Sequence, residues 1–243
     1  YVVRHRISTV PRFFCSEAVA PDSTFTLSAE VAQHVRVLRL RDGDGIVLFD
    51  GHGGETPATI NSIGKREVVV TAAQHVAIER EAVRTVTLYA ALIANDRMDW
   101  LIQKTTELGV AAIQPLYSER SQRIPGDVAK RVEHWRGVAI AACEQCGRNR
   151  IPDVAAPIPL SDALSATQGL VNVLLDAEGD LGQANSSAVS HASLNVFVGP
   201  EGGFAPNERE TLLAHCSHKL RIGATVLRAE TAAVAAMALL ANL

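Results

Sequence analysis

The sequence predicts an α/β protein: a mostly parallel, three-layer α/β domain preceded by a small antiparallel barrel or sandwich. Three observations carry this expectation. From Thr85 onward, apolar runs of strand length alternate with segments of helical period. Before that point, strand-length runs are separated by turn clusters rich in glycine, aspartate and asparagine. The 243 residues are 47% hydrophobic and 20% charged, ample for a packed core and unlike a disordered chain. The change of rhythm near 79–84 sets an extension at 1–9, a first domain at 10–82 and a second at 83–243.

In the first domain, Val35, Val37, Leu38 and Leu40 alternate with Arg36, Arg39 and Arg41 and read as a strand, closed by Asp42-Gly43-Asp44-Gly45. Ile46-Val47-Leu48-Phe49 follows, then Asp50-Gly51-His52-Gly53-Gly54 turns the chain again. Residues 58–60 and 67–71 are further strands, separated by Asn61-Ser62-Ile63-Gly64. In the second domain, 86–93 is a nearly continuous apolar run, as expected of a strand buried on both faces. Met98, Leu101, Ile102, Thr105 and Leu108 then follow a helical period, with Asn95 or Asp96 as cap and Gly109 past the end. Residues 110–116 are strand-like. A long helix carries Val128, Val132, Trp135, Ala139, Ala142 and Cys146 on one stripe and ends at Gly147. Strands at 171–175, 194–198 and 219–222 and helices at 206–216 and 230–240 complete the pattern, with 168–193 a weakly patterned connection.

Two loops stand out. Phe197-Val198-Gly199-Pro200-Glu201-Gly202-Gly203-Phe204 runs from an apolar strand through a glycine-rich turn toward a helix. In a parallel sheet, ligands bind outside the carboxyl ends of strands, where this loop lies. It matches neither the dinucleotide fingerprint nor a P-loop, and a plain strand-to-helix turn explains its glycines equally well. Leu220-Arg221-Ile222-Gly223 and the following Ala224-Thr225-Val226-Leu227-Arg228-Ala229-Glu230-Thr231 repeat the arrangement one unit later. Arg228 and Glu230 read first as an ion pair capping the last helix, with a substrate-facing Arg228 as the alternative.

Other classes are excluded or weakened. Cys143-Glu144-Gln145-Cys146 closes a helix rather than opening one and lacks a second ligand pair, so buried reduced thiols are expected rather than zinc or redox chemistry. Four cysteines in a chain of this length imply a reducing, cytoplasmic setting. Eight scattered histidines give no ligand spacing, so no metal is expected. The charge-free stretch at 231–243 has 13 residues, short of the ~20 that cross a bilayer, and the first ten residues lack a secretory h-region; a soluble chain is expected. Net charge −3 with pI near 6.3 provides no general cationic field for nucleic acid. A local patch is present: 120–150 holds seven basic and three acidic residues, while 151–180 holds five acidic and no basic ones.

Six motifs in order make the chain resemble the bacterial 16S ribosomal RNA uridine-N3 methyltransferases (RsmE type) of the SPOUT superfamily. They are Pro11-Arg12-Phe13-Phe14; His34-Val35-Arg36-Val37-Leu38-Arg39 with Leu48-Phe49-Asp50-Gly51; Gln103-Lys104-Thr105-Thr106-Glu107-Leu108-Gly109-Val110; Pro115-Leu116-Tyr117-Ser118-Glu119-Arg120-Ser121; the segment 141–150; and 198–204 with Leu227-Arg228-Ala229-Glu230-Thr231-Ala232. Ala94-Asn95-Asp96-Arg97 departs from it where similar sequences carry a lysine, and Ala229 stands where threonine is commoner. The resemblance implies a PUA-like β-barrel, a SPOUT-type α/β domain with a C-terminal trefoil knot, a homodimer, 16S ribosomal RNA or the small ribosomal subunit as partner, and S-adenosylmethionine as methyl donor. It implies cofactor contacts at Leu175, Val198, Gly199, Glu201, Gly202, Ile222, Gly223, Val226, Leu227 and Thr231. RNA-facing candidates are Arg36, Arg39, Lys104, Arg120, Arg123, Glu144, Gln145, Arg148 and Arg150.

The chemistry adds roles. Uridine N3 carries a proton at neutral pH, so transfer needs alignment and stabilisation of negative charge on O2 and O4. Arg228 is the candidate for that stabilisation. Glu201 is the candidate general base, with holding loop amides or a ribose as its other reading. Competing functions are a non-catalytic ribosome-assembly factor, a ribose 2′-O-methyltransferase of the same superfamily and, more weakly, a nicotinamide enzyme.

Overall fold

The computed structural model describes residues 10–17, 19–65, 67–178 and 192–242. The expected extension at 1–9 and much of the 168–193 connection lie outside them. The chain divides into two compact units. The first ends at Glu81 and also takes Cys143–Ile151; the second comprises Ala82–Ala142 and Pro152–Leu243.

The first unit is a five-stranded sheet in the order β1-β3-β4-β5-β2, built from β1 (Arg12–Phe14), β2 (Thr24–Thr26), β3 (Gly45–Phe49), β4 (Thr56–Ile63) and β5 (Val68–Ala72). Its pairings are antiparallel, as expected, except β1 with β3, which run parallel. Residues 61–63 continue β4 across a register shift instead of ending it. The segment expected as a strand at 35–41 is also corrected. Helix α1 (Ala29–Val37) starts at Ser28, whose hydroxyl accepts from Val31 N–H at 3.4 Å. It buries Val31, Ala32 and Val35 on one stripe against Phe13, Leu48, Ile60 and Val70, while Val37 and Leu38 of the alternation are 70% and 54% exposed. The helical stripe outweighs the short alternation because it buries more apolar surface.

A buried ionic cluster ties Cys143–Ile151 into this unit. Glu55 accepts from Arg12 at 2.6 Å and from Arg80 at 2.7 and 3.1 Å, and the Arg12 guanidinium also packs 5.2 Å over the Phe49 ring. Arg12 further donates to Asn149 Oδ1, Asn149 Nδ2 donates to Ile78 O at 2.8 Å, and Arg80 donates to Gly147 O at 3.1 Å. Arg148, only 4% exposed, forms a two-pronged pair with Glu81. Such groups are stable in the interior only because each finds an opposite charge or a carbonyl.

The second unit is a parallel sheet in the order β12-β10-β11-β6-β7-β8, with β9 also pairing β7. Its strands are β6 (Thr85–Ala91), β7 (Ala112–Tyr117), β8 (Asp153–Val154), β9 (Ile158–Pro159), β10 (Asn172–Leu175), β11 (Ser193–Val198) and β12 (His218–Leu220). The helices are α2 (Asn95–Glu107), α3 (Val128–Cys146), the short α4 (Leu160–Ala166), α5 (Pro206–His215) and α6 (Ala229–Leu240). On the buried strands, the Phe197 ring stacks on Tyr89 at 4.7 Å in a cluster with Leu116, Leu174 and Leu212. At the amino end of β10, His215 Nε2 lies 2.9 Å from Thr167 Oγ1 and 3.0 Å from Asn172 Nδ2, and Asn195 donates to Asn172 at 3.0 Å. Helix α6 is so apolar because Ala233, Ala236, Met237 and Leu240 are fully or almost fully buried.

The Glu55 cluster makes a measurable prediction. Burial alone would push the Glu55 carboxyl up, but the hydrogen bonds and charges of Arg80 and Arg12 outweigh it and hold it at about 2, below the ordinary 4.5. Its stabilisation is therefore complete above the unfolded value and is lost as pH falls through the folded one. Glu55→Gln is expected to destabilise the chain by roughly 3 kcal/mol near neutral pH. In denaturant titrations the gap between wild type and variant narrows as pH falls from about 4.5 toward about 2; a gap unchanged by pH contradicts the assignment.

Candidate active site

Strands β12, β10 and β11 are adjacent and parallel, so their carboxyl ends open on one edge of the sheet. The chain following those ends, with the start of α6, encloses a cleft of about 240 Å³. That is close to the lower end of the ~300–1,000 Å³ range of small-molecule sites. Leu175, Val198, Leu220, Ile222 and Leu227 form apolar walls, and Ala229 and Ala232, three residues apart on α6, add a small-residue face. Asp176, Glu201, Arg209 and Arg221 bring charge to the same space.

The glycine loop has its shape for local reasons. Gly203 sits at φ +66°, closing a turn in which its N–H donates to Pro200 O at 2.9 Å. A Cβ on Gly199 would lie 3.2 Å from both the backbone nitrogen and the ring of Phe204. Three contacts hold the loop and the helix after it. Arg120 donates to Gly202 O at 3.1 Å; Glu208 accepts from Ala205 N–H at 3.0 Å and from Glu119 N–H at 2.8 Å. Arg209 binds Asp176 and Glu178, each at 2.7 Å, and so ties α5 to the end of β10.

Glu201 also reaches the start of α2. The helix starts at Ala94, which has no capping side chain, so neither Asn95 nor Asp96 is the cap. Instead Glu201 Oε1 accepts from Ala94 N–H at 3.2 Å across 107 residues and lies 3.5 Å from Arg97 Nη1. Glu230 pairs with Arg97 at 3.9 Å; the expected Arg228–Glu230 pair is not among the ion pairs of the described residues. The helix start brings Arg97, rather than Arg228, to Glu230. Arg228 begins α6 and is exposed, with no side-chain cap bond.

A family model described as an RNA methyltransferase domain matches residues 79–241, and one described as an RNA methyltransferase PUA domain matches 27–72. The Ribosomal RNA small subunit methyltransferase E of Rickettsia conorii is 32% identical over 93% of each chain. The chain belongs to the ribosomal RNA small subunit methyltransferase E family. The Bacillus subtilis member is 30% identical over 88% of each chain. The crystal structure of the Neisseria gonorrhoeae member, bound to S-adenosylmethionine, superposes with a TM-score of 0.85 at 32% identity, covering 95% of this chain and 96% of that one.

Of the residues singled out in sequence, Leu175, Val198, Gly199, Glu201, Ile222, Val226 and Leu227 line the cleft. Gly202, Gly223 and Thr231 do not: the Gly202 carbonyl faces Arg120, and Thr231 is exposed, off the Ala229/Ala232 face. Sequence reasoning missed Asp176 and Arg209. Asp176 had a signal, being the first polar residue after an apolar strand. Arg209 had none, because its partners lie 33 and 31 residues away.

The basic candidates disperse. Arg148 is corrected from an RNA-facing residue to a buried partner of Glu81, and Glu144 accepts from Phe14 N–H at 2.9 Å, its carboxyl pushed up by burial. Arg150 pairs with Glu79 at 2.8 Å, Lys104 with Glu107 at 2.7 Å, and Arg36 donates to Gly64 O at 3.2 Å. Arg39, Arg120, Arg123 and Gln145 are exposed. Cys143 is buried, its thiol pushed up to about 12 by desolvation, and the four cysteines are free. Among the described residues, no cluster of three metal-ligating side chains occurs and no helix is long and apolar enough to cross a membrane.

The packing around Gly199 is testable by itself. Gly199→Val is expected to destabilise the fold by about 1–3 kcal/mol, because its Cβ already meets the Phe204 backbone and ring at 3.2 Å and the added methyl groups crowd the site further. Denaturant unfolding measures this; wild-type stability in the variant would show that the loop has room.

Proposed function

We propose that the cleft binds S-adenosylmethionine and that the chain transfers its methyl group to N3 of a uridine in 16S ribosomal RNA, on the small ribosomal subunit. The observation that carries this reading is the convergence of three neighbouring strand ends on one cleft, in a chain of a ribosomal RNA methyltransferase family. The donor set suits the ligand. Apolar walls from Leu175, Val198, Ile222 and Leu227 fit an adenine and the methylene chain of a methionine moiety, and the bare backbone of Gly199 and Gly203 admits close approach. Asp176 and Glu201 suit hydroxyl and ammonium groups, and Arg209 and Arg221 suit a carboxylate.

When bound, S-adenosylmethionine supplies an electrophilic methyl group on a sulfonium sulfur. The chain's own residues do the rest. The apolar walls exclude water from the transfer site. Arg228, between the cleft residues Leu227 and Ala229, carries its guanidinium toward solvent, where a flipped uracil would present O2 and O4. Glu201, its Oε1 engaged by Ala94 N–H, serves as a brace for the loop rather than as the proton acceptor, and the N3 proton passes to water.

Arg39, Arg120, Arg123 and Gln145 are the exposed residues left to contact RNA. A homodimer, a trefoil knot and a cytoplasmic setting belong to the same proposal. Trp100, 41% exposed on α2, supports a covered face; β12 pairing with β10 rather than with its chain predecessor β11 supports the knot; four free thiols support a reducing compartment.

Two measurements test the reading. Nucleoside mass spectrometry of ribosomal RNA from a deletion strain should show loss of 3-methyluridine; its persistence would refute the function. Arg228→Ala should lower methyl transfer about 10²-fold with calorimetric affinity for S-adenosylmethionine retained, and unchanged turnover would remove Arg228 from the mechanism.

A further inference from the structure

One guanidinium stands between two carboxylates at the rim of the cleft. Arg97, on the first turn of α2, has Nη1 3.5 Å from Glu201 Oε1 and Nε 3.9 Å from Glu230 Oε1. Glu201 lines the cleft, and Glu230 follows Ala229, which also lines it. Glu230 is only 8% exposed, and its Oε2 is buried with no hydrogen-bond partner among the described residues. A buried carboxylate with an unmet oxygen is costly, and a structural ion pair would be built to satisfy it. Here the charge is spent on fixing a cation. The arginine is restrained by these two carboxylates but not consumed by them: its side chain is 36% exposed, and Nη2 makes no hydrogen bond among the described residues.

We infer that Arg97 is a catalytic residue that contacts a carbonyl oxygen of the target uracil beside N3, and that Glu230 is the residue positioning it. The inference rests on the uridine-N3 reading above. Loss of the N3 proton to water leaves an anion whose charge spreads to O2 and O4. The N3 lone pair then bonds to the methyl carbon as the carbon–sulfur electron pair returns to sulfur, so the negative and positive charges vanish together. A fixed guanidinium on a carbonyl oxygen favours the anion and brings deprotonation toward neutral pH. Arg228 lacks a comparable brace: it has no ion pair among the described residues.

This role has a signature that a structural role lacks. Initial rates are measured with the full chain, saturating S-adenosylmethionine and small ribosomal subunits from a deletion strain, from neutral to alkaline pH, with the product nucleoside identified. Arg97→Ala is expected to lower kcat about 10²-fold near neutral pH with little change in KM for the subunit. The deficit shrinks as pH rises, because hydroxide then supplies the N3 anion. Arg97→Lys restores part of the rate, and Glu230→Gln shows a smaller deficit with the same pH slope; these two decide the matter should the alanine variant not fold. Calorimetry with S-adenosylmethionine is expected to give wild-type affinity throughout. A deficit constant with pH, an effect confined to KM, unchanged turnover or lost cofactor affinity each overturns the assignment. Wild-type product lacking 3-methyluridine instead strikes the underlying reading, and this inference falls with it.

Discussion

The parallel alignment of β12, β10 and β11 is the constraint on which the rest of the second unit depends. Because the three strands pair in register, Leu175 beside Leu220 and Leu174 beside Phe197, their following loops emerge on one edge and have to share one space. A buried sheet can hold that edge still. Leu174, Val196 and Phe197 are at most 1% exposed, and Asn172, Asn195, Thr167 and His215 close the opposite end with mutual hydrogen bonds. The cleft is thus the residue of a packing solution, with chemistry placed on loops that the sheet keeps in position.

Charged side chains do a different job in each unit. In the first, Arg12, Glu55 and Arg148 are buried and are made tolerable there by pairing with one another or with the half-buried Arg80 and Glu81, so removing Glu55 leaves Arg12 without its carboxylate. In the second, Arg120, Glu201, Glu208 and Arg209 lie nearer solvent, where an ion pair contributes about 0–1 kcal/mol. Their effect is geometric rather than energetic: each joins a loop to an element distant in sequence, and together they set the outline of the cleft.

Much of this was legible in the sequence, for physical reasons that vary by element. The runs at 86–93 and 194–198 announced buried parallel strands because both faces are apolar, and the Met98–Leu101–Ile102–Thr105 period announced α2. Helix α1 was hidden, since its stripe is short and its end runs into an alternating Val-Arg-Val-Leu-Arg-Leu segment that imitates a strand. Residues 143–151 showed basic character but not its use. Net charge in a window cannot reveal that Glu79 and Glu81, over sixty residues earlier, neutralise Arg150 and Arg148. In the cleft, glycines and apolar strand ends could be read directly. Arg209, and the capping of α2 by Glu201, could not, because both depend on contacts made only after the chain has folded.

The central claim is that the edge shared by these three strands holds the methyl donor. The most direct measurement is a crystal structure of the full chain grown with S-adenosylmethionine. The ligand is expected against Leu175, Val198, Ile222 and Leu227, with its methyl group open to an incoming base. A ligand seated elsewhere, or a cleft closed by its own Val226 and Leu227 side chains with the ligand excluded, would contradict it.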